Sequence, residues 1–196
     1  MRAPLLRRAR ASSGQSLIEM AMMLPFVVVL VLGVIEISYA LMDQHVVAKL
    51  AREGSNLISR DTSLADAGTA MKTMSTRPVD FTTRSTVIFS VVKRVSTVGA
   101  TNFNKDILYQ RYSVGPLAVA SMLQTTGAGS YSGAPDYIAN NSDNDANLQI
   151  TNLPANLNVA GGLLYITEIY TSHTLITPFD KFGIQVPSTL YSFAVF

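Results

Sequence analysis

The sequence predicts an α+β fold in which a long amino-terminal, membrane-spanning helix packs on a small antiparallel β-sheet. Three observations predict it. Met20 to Ile35 contains no charged residue, an apolar stripe at helical spacing continues as far as Ile58, and the pattern switches to period two after Pro78. The 196 residues, 48% of them hydrophobic, suffice for one folded domain plus a membrane segment.

The apolar run sets the first element. A helix from Leu17 to Ile35 covers about 28 Å, close to the hydrocarbon thickness of a bilayer. Arg2, Arg7, Arg8 and Arg10 precede it without an acid among residues 1–14. By the positive-inside rule the amino terminus stays in the cytoplasm and the remainder lies outside the inner membrane as a single-pass protein. The same four arginines account for the basic balance of the chain. Residues 15–196 hold 11 basic against 13 acidic side chains, so the formal net charge of +2 becomes −2 without the leader. The charge therefore gives no support for a nucleic-acid partner.

Beyond the span, Val47, Leu50, Ala51, Gly54, Leu57 and Ile58 recur at i, i+3, i+4 and i+7. Asp43, Lys49, Arg52 and Glu53 lie mostly off that stripe, as expected of an amphipathic half docked on a folded head. A continuous helix from Gln15 to Ile58 would reach about 65 Å. Pro25 lacks an amide hydrogen and crowds the carbonyl of Ala21, so a kink or local loosening is expected there. Glu36 falls at the outer end of the span, where solvent or a neighbouring subunit would suit it.

Asp61, Thr62 and Ser63 offer N-cap chemistry for a short second helix ending before Arg77-Pro78. Val87, Phe89, Val91 and Val95 alternate with Ile88, Ser90, Val92 and Arg94 as a strand. Ile107 to Val114 reads as its hairpin partner, and Leu163 to Leu175 and Leu190 to Phe196 supply two more strands. Between the pairs, residues 127–158 are rich in Gly, Ser, Asn, Asp and Pro, with few large apolar side chains to anchor a core. They read as a surface loop. The expected organisation is a leader over 1–14, a long helix over 15–59 and an exported α+β domain over 60–196.

Chemistry-bearing constellations fall short. Cysteine is absent, which removes thiolate ligands and nucleophiles. Asp143-Asn144-Asp145 begins like a calcium loop but lacks the following glycine and the later glutamate. His45 and His173 have no neighbouring ligands in sequence, Gly127-Ala128-Gly129-Ser130 lacks the lysine of a phosphate loop, and no nucleophile elbow surrounds a serine. No catalytic residue, metal or cofactor is expected.

Three readings of the amino terminus compete: a signal peptide cut near Ala40, an uncleaved anchor, and a leader cut before the apolar run. The first is disfavoured because the helical pattern continues through the supposed cut, and neither of the first two accounts for Glu19. This acid sits at the cytoplasmic edge of the apolar run, where an ionised carboxylate entering lipid costs several kcal/mol unless paired. Cleavage between Gly14 and Gln15 would create an α-amino group at comparable depth. In a bundle, one subunit's amine would neutralise its neighbour's Glu19.

The basic leader, Gly14, polar Gln15 and Ser16, Leu17-Ile18, Glu19 and the long apolar helix resemble the signal of type IV prepilins. Gly14 through Pro25, with Gly33-Val34-Ile35-Glu36 and Ala51-Arg52-Glu53-Gly54, resembles the TadE-like family more narrowly. That resemblance implies a pilin-like fold and a role as minor pilin or pseudopilin in the tight-adherence (Flp, type IVc) pilus, supporting surface adhesion. It implies a membrane aspartyl prepilin peptidase cutting after Gly14, where a small residue lets extended backbone approach the catalytic groups. Other pilin or pseudopilin subunits, an inner-membrane assembly platform and the lipid bilayer are the remaining implied partners. The rival expectation is a membrane-anchored exported binding protein or adhesin outside any pilus.

Overall fold

The computed structural model describes residues 12–154, 157–177, 181 and 188–196. The leader charges Arg2, Arg7, Arg8 and Arg10 lie outside the described residues. Helix α1 (Ser12–Ile58) is followed by α2 (Leu64–Met74) and by strands β1 (Ser85–Arg94), β2 (Asp106–Val114), β3 (Leu163–Ser172) and β4 (Thr189–Val195). The four strands form one antiparallel sheet in the order β2-β1-β3-β4.

Helix α1 ends where Asp61 takes a positive φ of 59°. The chain restarts at Ser63, whose Oγ accepts from the Asp66 amide at 3.2 Å, the capping bond that residue type supplies. Strand β1 is central, and eight of its ten residues are buried. That explains why Ile88 and Val92 occupy the positions where a strand with one wet face would carry polar side chains.

Only the carboxyl-terminal half of α1 belongs to the core. Val47, Leu50, Ala51 and Ile58 pack with Val87, Phe89, Val91, Ile169 and Ala194 from the sheet and with Leu64, Ala67 and Met71 from α2. Contacts fix the direction of the helix on the sheet. Gln44 Nε2 donates to Tyr191 O at 2.8 Å and Ser55 Oγ to Ala194 O at 2.9 Å, so α1 runs parallel to β4 and antiparallel to β3.

Gly54 lets the two approach closely. A Cβ there would lie 2.7 Å from Thr167 Cγ2. Thr167 is fully buried, and its Oγ1 has no hydrogen-bond partner among the described residues. Two opposite outcomes are expected. Gly54→Leu overpacks the contact and destabilises the head by about 1–3 kcal/mol, whereas Thr167→Val removes an unsatisfied hydroxyl and stabilises it by about 1 kcal/mol. Thermal melts of the two variants beside the parent check both signs.

Residues 127–158 depart from the expectation of a loop without anchors. The segment folds back along the outer edge of β2, bridging Gln110 to Ile138 and Ile107 to Gln149. Leu148 is fully buried, and with Ala139, Val95 and Ile107 it builds a second small core. Asn102, itself buried, donates to Ser142 O and Asp145 O and accepts from Gln149 Nε2, so a polar side chain replaces the missing apolar mass. Leu148→Ala is expected to cost about 2–4 kcal/mol, read as a lowered denaturation midpoint; a change within ±0.5 kcal/mol would return the segment to spare loop.

Candidate functional site, the exposed helix and its latch

From Gly14 to Val31 the described side chains of α1 are exposed all round, and none of the described residues of the head covers them. Leu17, Met20, Phe26 and Leu30 are each about two-thirds or more exposed. The helix is long and apolar enough to cross a membrane. Burial of apolar surface drives folding, so a helix that leaves this many large apolar groups in the open is built for surroundings other than water.

Gly14 and Gln15 lie within the first turns of α1, where the sequence reading expects extended backbone. The first turn of a helix has amide groups without intrahelical acceptors, so it opens more readily than any later turn. A Cβ on Gly14 would meet nothing within 4 Å, hence no packing opposes that opening. Glu19 projects from the same exposed stretch, and its Oε1 accepts from Gln15 Nε2 at 3.0 Å. Among the described residues that is its one hydrogen bond. Helix α1 runs through Pro25 without interruption, and the Ala21 carbonyl loses the donor a non-proline residue would supply.

Glu36 provides the surprise. It is 3% exposed, one residue beyond the apolar run, and it is held by the chain's own head, neither by solvent nor by a neighbouring subunit. Its Oε2 accepts from Thr177 Oγ1 at 2.7 Å, from the Thr177 amide at 2.9 Å and from the Ile176 amide at 3.1 Å. Its Oε1 lies 3.3 Å from His173 Nε2. The other ring nitrogen of His173 stands 3.2 Å from Asp43 Oδ2, two turns farther along α1. The residues after β3 thus form a nest of donors that clasps the helix where it leaves the head. Asp43, expected on the polar face of α1, belongs to this clasp, whereas His45 is exposed.

A second buried acid holds the far face of the sheet. Glu168, 1% exposed on β3, accepts from Ser121 Oγ and from the Met122 amide, and both Tyr170 and Tyr191 hydroxyls lie 3.3 Å from its Oε1. Burial, and then the Glu168 charge, push the Tyr170 phenol up to about 12 and raise Tyr191 too, so both remain protonated donors at neutral pH. The cluster fastens residues 121–123 across the sheet. Beside it lies an apolar groove of about 290 Å³ bordered by Met122, Leu157, Ile166, Phe193 and Val195.

The acidic run Asp143-Asn144-Asp145 has its oxygens engaged by the protein itself. Asp143 pairs with Lys93 at 2.9 Å and accepts from Thr97, Asn144 Oδ1 accepts from the Thr101 amide, and Asp145 caps the turn through Asn147. No group of three or more metal-ligating side chains occurs among the described residues.

No curated protein and no solved structure matches the chain. The part that does match a known family is the part whose geometry is most unusual, the helix that is bare at one end and buried at the other. Residues 14–56, the segment carrying Gly14, Glu19, Pro25 and Glu36, match the family model described as TadE-like protein.

Proposed function

We propose that the chain is a minor pilin or pseudopilin of a tight-adherence (Flp, type IVc) pilus system, inserted in the inner membrane with its head outside and matured by cleavage between Gly14 and Gln15. The observation that carries this reading is the division of α1 into an exposed apolar half and a half that forms the core of the head. A helix of 47 residues, about 70 Å long, is far more than a lone anchor needs. Its length suits a subunit that exchanges lipid for the equivalent helices of neighbouring subunits.

Cleavage removes the four arginines and exposes an α-amine near Glu19. A prepilin peptidase, other pilin or pseudopilin subunits and the inner-membrane assembly platform are the partners this reading requires. Intact mass tests it. In cells with the peptidase the protein should lack residues 1–14, and Gly14→Ala should leave full-length precursor. An identical mass with and without the peptidase would falsify cleavage at this junction. The groove beside β4 favours a second reading, an exported membrane-anchored binding protein or adhesin. That reading predicts normal surface function with the leader uncut.

A further inference from the structure

At the base of the head, next to the Glu36 clasp, is a cavity of about 270 Å³ bordered by Tyr39, Asp43, Arg77, Arg84, Ser172 and Ile176. From this cavity we infer a binding site for the phosphate of an anionic phospholipid headgroup. Three observations converge on it.

The first is charge. Two arginines and one acid border the cavity, and the carboxylate of the acid, Asp43, is turned to the His173 ring at 3.2 Å. Neither Arg77 nor Arg84 enters any of the ion pairs formed among the described residues. Arginine presents its donors as a planar fork that matches phosphate oxygens two at a time. Ser172 lies at the same rim, its hydroxyl donating to the Arg84 carbonyl at 3.4 Å.

The second is depth. Tyr39 and Asp43 follow the end of the apolar run at Ile35 by about 6 and 12 Å along the helix. The headgroup layer occupies roughly the first 5–8 Å beyond the hydrocarbon. The Tyr39 end of the cavity therefore lies at headgroup level when α1 spans the bilayer, and the Asp43 end just beyond it.

The third is its surroundings. Of the side chains that border the opening, Ile176 is 58% exposed and Tyr39 47% exposed. An aromatic ring with a polar tip beside an aliphatic side chain is the composition of a membrane interface. A free anion would not require exposed Ile176 and Tyr39 at the rim, so a lipid is the occupant that satisfies both the arginines and the depth of the opening.

The site depends on the membrane span of α1 and not on the pilus reading, so an uncleaved protein would keep it. The experiment uses the full chain in detergent micelles, with phosphatidylglycerol or phosphatidylcholine added at equal concentration and retained lipid counted by native mass spectrometry. The parent should retain phosphatidylglycerol preferentially. Arg77→Gln with Arg84→Gln should weaken that retention about 25-fold, near fivefold per arginine, at unchanged melting temperature. The leader arginines are common to both proteins, so the difference reports the cavity. If the glutamine pair lowers the melting temperature, Arg77→Lys with Arg84→Lys is the comparison, and it should keep most of the preference. Equal retention by the parent and the folded glutamine pair overturns the site, as does loss of the preference in the lysine pair. Abolition of the preference by millimolar inorganic phosphate overturns the lipid assignment in favour of a free-phosphate site.

Discussion

Glu36→Ala is expected to release the head from the membrane half of α1 and to destabilise the clasp by about 2–3 kcal/mol. The substitution leaves the Ile176 and Thr177 amides and the Thr177 hydroxyl without their acceptor, and His173 Nε2 without its partner, in a site that is 3% exposed. Each buried donor left unmatched costs roughly 1–3 kcal/mol, and bonds to a charged group stand at the upper end of the range. The sum is held low because the clasp lies at the rim of the head, outside both core clusters, where water reaches the freed donors once the loop relaxes. Hydrogen exchange reads the effect at two named atoms. The Ile176 and Thr177 amides should exchange roughly 30- to 160-fold faster, the equivalent of that free energy, while amides in β1 keep their protection. Unchanged exchange at both would show that Glu36 does not hold the loop. Glu36→Gln should recover part of the loss, because its amide oxygen can accept from the Ile176 and Thr177 donors that converge on Oε2, without the charge. A double-mutant cycle with His173→Ala isolates the helix-to-ring contact from the two amide bonds.

That clasp also marks the boundary of what the sequence makes legible. The elements are readable because each rests on local periodicity: the stripe Val47, Leu50, Ala51, Gly54, Leu57 and Ile58 predicts the buried face of α1, and four of those six are core residues in the structure. The four strands likewise appear within a few residues of their predicted bounds, since β-branched and aromatic alternation is written into consecutive positions. Glu36 and His173, by contrast, are 137 residues apart. Seen alone, Glu36 is an acid at a membrane boundary and His173 is a histidine in a strand pattern; only the sheet order and the direction of α1 bring them together.

Leu148 and Asn102 illustrate the same limit in the segment read as a loop. The residues that anchor it, Val95 and Ile107, belong to strand β1's exit and to β2, and the stabilising bonds are polar. Composition measures apolar mass and misses hydrogen-bonded asparagine. Glu168 was equally invisible, because its partners Ser121, Met122 and Tyr191 come from a loop and from another strand. Gly14, Gln15 and Glu19 are the opposite case. Their meaning is carried by sequence order, and the fold adds to it that this end of α1 is exposed, uncovered by the described residues of the head.

Glu19→Ala is therefore expected to leave the head, the membrane insertion and the mature mass unchanged, and to remove the protein from assembled pili. Glu19 is exposed on bare helix and bonded to Gln15 Nε2, so its loss disturbs no tertiary contact. Its value arises only among other helices in lipid. There a carboxylate without a partner is penalised by several kcal/mol, and under the proposed function pairing with a cleaved neighbour's α-amine would replace the weak local bond to Gln15. A charge-assisted hydrogen bond of this kind contributes about 1.5–3 kcal/mol, which corresponds to a roughly ten- to hundredfold fall in incorporation when it is lost. Two comparisons separate this from a general defect. Gln15→Ala removes the local side-chain bond while keeping the α-amine, and it should assemble nearly normally. Glu19→Asp keeps the charge on a shorter stem and should assemble at an intermediate level. The measurement is the amount of the protein in sheared pili relative to the membrane fraction, with intact mass confirming cleavage in every variant. Parental piliation by Glu19→Ala would remove the carboxylate from the assembly mechanism, even with cleavage after Gly14 intact.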